Sequence, residues 1–226
     1  MRVEDVLRGA SCLLFDYGGT LDADGVAWKE QFAALYRAEG LDAPDAAFDR
    51  AFYDADDPLI GTLPTDADLD ETARRLVGGL EAALGGDAAR GRRVASRFVQ
   101  NTRATVARNQ PVLEALARRY RLGVVSNFYG NLDAVLRELG LRGLFGAVAD
   151  SEIVGATKPD PALFAAAMAP LAARAETTVM IGDSIRRDGA GAAAAGVRFV
   201  WLAPADASGH AHPRIASLHE LTGVLA

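Results

Sequence analysis

The chain has 226 residues, half of them hydrophobic, with a formal net charge of -6 and a pI near 5.1. That size suits one α/β domain with an inserted subdomain, or two small domains, and the acidic balance argues against a nucleic-acid groove or an anionic membrane surface as partner. No apolar run is long enough to span a bilayer, the start Met1-Arg2-Val3-Glu4-Asp5 lacks a secretory pattern, and the single cysteine, Cys12, cannot form an internal disulfide, so a soluble cytoplasmic protein is expected with Cys12 buried in its first strand.

In chain order, residues 11–15 read as a buried strand. From about 26 to 109 the pattern turns helical, and Trp28, Phe32, Leu35 and Tyr36 recur at the spacing of a core-facing stripe. Asp56-Asp57-Pro58 and Gly61-Thr62-Leu63-Pro64 are breakers, and the acid run Asp54–Asp57 reads as a solvated loop. Helices are expected over 66–84 and 88–108, split by Gly85-Gly86. A new short helix should open at Asn109-Gln110-Pro111 and run to 119. Strands then alternate with helices: strands over 122–126, 147–150, 179–182 and 198–202, helices over 132–139, 161–169 and 189–195. Asp160 should cap the helix that Pro161 opens. This alternation predicts a doubly wound parallel sheet with helices on both faces. The helical block of about 85 residues after the first strand is an all-helical insertion.

Four polar clusters follow four of these strands: Asp16 with Thr20, Ser126-Asn127, Lys158 within Ala156-Thr157-Lys158-Pro159-Asp160-Pro161, and Gly182-Asp183-Ser184 with Asp188. In a parallel sheet all strand ends point one way, so the clusters converge at one crevice. The residue types fit one task. A carboxylate can attack phosphorus, a hydroxyl and a lysine can hold phosphoryl oxygens, and further carboxylates suit Mg2+, which takes oxygen ligands. Lys158 stands out further because the chain has only two lysines, Lys29 and Lys158, against 22 arginines.

These motifs resemble those of the haloacid dehalogenase-like (HAD) hydrolase superfamily, in the correct order over nearly the whole chain. Asp16-x-x-Gly19-Thr20 is similar to its first motif, Ser126 to its second, Lys158 with the run Lys158–Phe164 to its third, and Gly182-Asp183-x4-Asp188 to its fourth. The resemblance implies a Rossmann-like core over 1–22 and 110–226 and a helical cap over 23–109. It implies Asp16 as nucleophile and Mg2+ ligand, the Gly18 carbonyl as a second ligand, Asp183 binding the metal directly and Asp188 supporting it. Ser126 and Lys158 would act with Asp16 in catalysis and, together with Gly18, Gly19, Thr20 and Asn127, would bind the phosphate, with Thr20 steadying the first loop. The activity implied is an Mg2+-dependent phosphatase, a monomer or homodimer acting on a small phosphorylated metabolite through an aspartyl-phosphate.

One position departs from the family's phosphatases, which usually carry a second aspartate two residues after the nucleophile as general acid and base. Here it is Gly18, and such a group is typically worth about 10²–10⁴ in rate. Asp22 and Asp24 are near in sequence but lie toward the cap. Three readings stay open: a phosphatase whose proton comes from water, the substrate or the cap; a sibling chemistry; and a phospholigand-binding protein without turnover. The family's dehalogenases lack that acid too, yet carry an aromatic there and need no metal acids. Its phosphonatases need a cap lysine, and Lys29, the only one, reads as an exposed helix charge. Phe128 and Tyr129 either line the entrance or pack under the cap. His210 and His212 read as a polar loop rather than a metal site, which wants three or four ligands.

Overall fold

The computed structural model describes residues 2–207 and 211–224. Six parallel strands form one sheet in the order β3-β2-β1-β4-β5-β6. They are β1 (Cys12–Phe15), β2 (Arg121–Ser126), β3 (Ala147–Asp150), β4 (Thr178–Gly182), β5 (Arg198–Leu202) and β6 (Arg214–Ile215). The chain steps outward from β1 through β2 to β3, then returns to β4 on the other side of β1. The strand order therefore reverses between β1 and β4, which opens a crevice at their carboxyl ends.

The central strands are apolar throughout because both faces are covered. Successive residues of β1 divide between two cores. Leu13 and Phe15 join the one shared with the long helix α5 (Ala88–Ala117) and with α6 (Leu132–Glu138). Cys12 and Leu14 join the one shared with α8 (Pro161–Met168) and α9 (Ala190–Ala194). The short helix α1 (Val3–Leu7) adds Val6 and Leu7 to the first of these cores, and the short helix α7 (Ser151–Val154) follows β3. Asp160 caps α8 as its sequence predicts, accepting from Ala162 N at 2.8 Å.

Between β1 and β2 come α2 (Trp28–Ala38), α3 (Asp45–Asp56), α4 (Leu69–Ala83) and α5. The stripe Trp28, Phe32 and Tyr36 is buried, with Leu35 packed beside it. Phe32 stacks on Phe98 of α5 at 4.4 Å between centroids, and Trp28 meets Phe98 edge-on at 5.0 Å. Among the described residues no helix is long and apolar enough to cross a membrane.

Two local expectations are corrected. No helix break occurs at 109–111: α5 runs without interruption through Pro111. Buried Asn109 beside it donates to Leu21 O at 3.3 Å, and the ring of His219 contacts Arg108 O at 3.1 Å, so tertiary contacts tie this stretch of α5 to the first loop and to the C-terminal segment. The acid run 54–57 is not a solvated loop but the last turn of α3 and the 3-10 turn after it. Asp56 points inward and accepts a hydrogen bond from the Tyr129 hydroxyl.

Candidate active site

Three of the polar clusters fall at the crevice because they end β1, β2 and β4, and Lys158 reaches it on the loop after α7, which follows β3. The register pairs Phe15 with Val124 of β2 and Ile181 of β4, so Asp16, one step beyond Phe15, lies between Ser126 and Asp183, each two steps beyond its paired residue. Asp16 Oδ1 takes three hydrogen-bonding contacts: Tyr17 N at 2.7 Å, Ser126 Oγ at 2.7 Å and Lys158 Nζ at 2.8 Å. Among the described residues Oδ2 takes none. One oxygen anchors the carboxylate and the other is unengaged.

Lys158 is 4% exposed and reaches Asp16, Asp188 Oδ1 at 2.7 Å and Val125 O at 3.0 Å. Burial pushes its ammonium down, but the charges of Asp16 and Asp188 more than offset this and hold it protonated. Asn127 fixes the backbone that bears it, accepting from Lys158 N at 2.7 Å and donating to Lys158 O at 3.2 Å. The Lys158–Pro159 peptide is cis.

Asp183 accepts from Thr20 Oγ1 at 3.1 Å, and Asp188 accepts from Ser184 N at 2.9 Å. Asp16, Asp183 and Asp188 each offer an oxygen, all within 4.8 Å of one another. Desolvation, then the charges of Asp16 and Asp188, raises Asp183 well above the ordinary carboxylate range, and desolvation raises Asp188 despite Lys158. Three carboxylates against one ammonium are short of positive charge, and an all-oxygen set suits Mg2+ rather than a softer metal. Two glycines permit this crowding. A Cβ at Gly19, whose φ is +88°, would lie 2.7 Å from Asp183 Oδ2, and one at Gly182 would lie 2.3 Å from Asp188 Oδ2.

A cavity of about 810 Å³ opens over these groups. Asp16, Gly18, Ser126, Asn127, Lys158 and Asp183 line it, whereas Gly19, Thr20 and Asp188 stand behind the wall. The insertion closes the other side with Trp28, Lys29, Phe52, Tyr53 and Asp56. Phe128 and Tyr129 both line it and pack against Trp28, their ring centroids 5.6 and 6.3 Å from the indole.

Several of these arrangements escape a reading of local pattern. The Trp28 indole lies against Gly18, with Nε1 3.3 Å from where a Cβ would stand, and donates to Asp22 Oδ2 at 2.5 Å. Asp22 also accepts from Gly19 N at 2.7 Å, and burial lifts its pKa to about 7. It stands behind the wall as a brace of the first loop, while Asp24 pairs with Arg108 at 2.5 Å. Lys29 is not an exposed helix charge: it lines the cavity, half-buried, and pairs with Asp49 at 2.9 Å. His212 packs edge-on to Phe199 and His210 lies outside the described residues. The acidic trio is the sole potential metal cluster among the described residues.

Known proteins share this architecture. The bovine haloacid dehalogenase-like hydrolase domain-containing protein 3 is 41% identical over 86 residues, 38% of this chain and 34% of that protein. The phosphoserine phosphatase of Thermus thermophilus is 35% identical over 113 residues, 48% of this chain and 45% of that protein. The chain thus spans from a third to under half of these relatives. The crystal structure of a HAD phosphatase from Thermococcus onnurineus superimposes with a TM-score of 0.59 at 23% identity, covering 96% of this chain and 98% of that one. A dehalogenase structure does so with a TM-score of 0.64 at 19% identity, covering 96% and 97%. The family model for haloacid dehalogenase-like hydrolases matches residues 10–196, from before β1 to the end of α9, and the chain belongs to that family.

Proposed function

We propose that this hydrolase is an Mg2+-dependent phosphoric monoester hydrolase that takes a small phosphorylated metabolite and works through an aspartyl-phosphate at Asp16. The observation that carries the reading is the divided role of the Asp16 carboxylate: Asp16 lines the cavity, its Oδ1 is held by three donors and its Oδ2 is unengaged. Oδ2 attacks phosphorus, the bond to the leaving oxygen breaks, and water then attacks the same phosphorus to release phosphate and restore the carboxylate. Ser126 and Lys158 fix the angle of attack and supply a donor and a positive charge where phosphoryl charge accumulates. Mg2+, held by Asp16, the Gly18 carbonyl and Asp183 with Asp188 in support, would neutralise charge so that carboxylate and phosphate can approach. The surrounding aromatic wall excludes bulk water from the anhydride.

No carboxyl stands at Gly18 to protonate the leaving oxygen, which therefore leaves unassisted or takes its proton from water or the substrate. The intact pair Asp183 and Asp188 favours this reading over a dehalogenase, which has no use for metal-binding acids. Hydrolysis of p-nitrophenyl phosphate and acetyl phosphate, whose leaving groups need little help, tests it. Turnover that requires Mg2+ and falls at least 10³-fold in Asp16→Asn supports the proposal. No turnover of either compound with Mg2+ present would overturn it.

A further inference from the structure

We propose that the substrate carries a second anionic group, a carboxylate or another phosphate, received by Arg186 and Arg187 at the mouth of the cavity. This rests on the phosphatase reading and names the substrate class it implies. Both arginines line the cavity, and both are exposed. Among the described residues neither guanidinium has an ion pair or hydrogen bond. The other cations of the wall are already neutralised, Lys158 by Asp16 and Asp188 and Lys29 by Asp49 and Glu30.

The turn that bears them is fixed. Ser184 N donates to Asp188 Oδ2 at 2.9 Å, Arg187 N to Ser184 Oγ at 3.2 Å, and Trp201 Nε1 to Asp183 O at 2.9 Å. Arg186 and Arg187 therefore spring from the segment between two carboxylates of the reaction centre, at a set distance from the phosphoryl site. Asp56 and Tyr129 face Arg187 from α3 and from the loop after β2, near enough to feel its charge. Asp56 is engaged by the Tyr129 hydroxyl rather than by the guanidinium, which keeps its fork open. A guanidinium fork is the side chain best matched to bidentate capture of a carboxylate or phosphate.

Three phosphonates that resist ester hydrolysis separate the possibilities: propylphosphonate, 3-phosphonopropionate and propane-1,3-diphosphonate. Binding is measured by calorimetry with Mg2+ present, on the wild-type chain and on Arg186→Ala/Arg187→Ala, with circular dichroism to verify its fold. The wild type is expected to bind at least one of the doubly anionic compounds about tenfold or more tighter than propylphosphonate. Whichever gains more identifies the second group as carboxylate or phosphate. In the double variant that ratio should fall toward one. Binding of all three with a ratio near one, or a ratio the variant leaves intact, overturns this inference alone. Failure of all three to bind overturns the phosphate site and this inference with it.

Discussion

At the scale of single residues, the contact between Gly18 and Trp28 bears on how the leaving group would depart in the proposed phosphatase reaction. An aspartate at 18 starts its side chain 3.3 Å from the indole nitrogen, so the ring must yield by a few tenths of an ångström. Gly18→Asp is expected to raise kcat/KM for alkyl phosphates by more than for aryl phosphates, toward the ~10²-fold lower bound for a general acid. Equal effects on both classes would remove the account of Gly18. Asp22 carries a second prediction. Burial raises its pKa from 3.8 to about 7, so from about pH 4 to 7 the folded state holds a proton that the unfolded state has lost. Its contribution to stability is full below about pH 4 and declines by up to ~1.4 kcal/mol per pH unit until pH 7. Asp22→Asn places an amide donor against the indole N–H and lowers stability at pH 4.5. The deficit should shrink as pH rises to 7.5 in metal-free urea unfolding, and a constant deficit would show that Asp22 does not titrate in this window.

At the scale of elements, strands were the most legible. A short apolar run bounded by glycine or a polar cluster marks β1, β2, β3, β4 and β5 within a residue of their ends, because a central parallel strand must be apolar on both faces. The two-residue β6 has too little sequence to show a pattern and exists through its pairing of Trp201 with Arg214 and Leu202 with Ile215. The reading failed at Pro111, where local preference predicts a helix start and tertiary packing sustains α5 across it. An interior proline costs about 3 kcal/mol. Its stiffening of the unfolded chain returns up to ~1, and hydration of the exposed carbonyl of Ala107 returns some of the rest. Pro111→Ala should therefore stabilise the chain by about 1–2 kcal/mol in chemical denaturation. Destabilisation would mean that α5 relies on the proline. The candidate site divides the same way. The convergence of Asp16, Ser126, Lys158 and Asp183 was legible because Asp16 and Asp183 directly follow strands, Ser126 ends one, and Lys158 comes soon after β3. The brace of Trp28 on Asp22 and the bond from Tyr129 to Asp56 were not, since each joins the insertion to a loop and depends on how two separately patterned segments dock.

At the scale of the whole molecule, the sheet and the insertion perform separable tasks. The strand reversal between β1 and β4 gathers Asp16, Ser126, Lys158 and Asp183 at one point. The insertion covers that point with an aromatic wall and leaves two guanidiniums at its rim. On the proposed function, chemistry is anchored in the sheet and selection of the substrate falls to the cover and the Asp183–Asp188 turn. The central claim is that Oδ2 of Asp16 becomes covalently phosphorylated. It is tested most directly by mixing the chain with Mg2+ and acetyl phosphate, quenching in acid within a turnover, and reducing with borohydride, which converts an aspartyl phosphate to homoserine. Peptide mass spectrometry should then find homoserine at position 16 and at no other aspartate. Phosphate release without homoserine at position 16, or with the modification at another residue, would contradict the account.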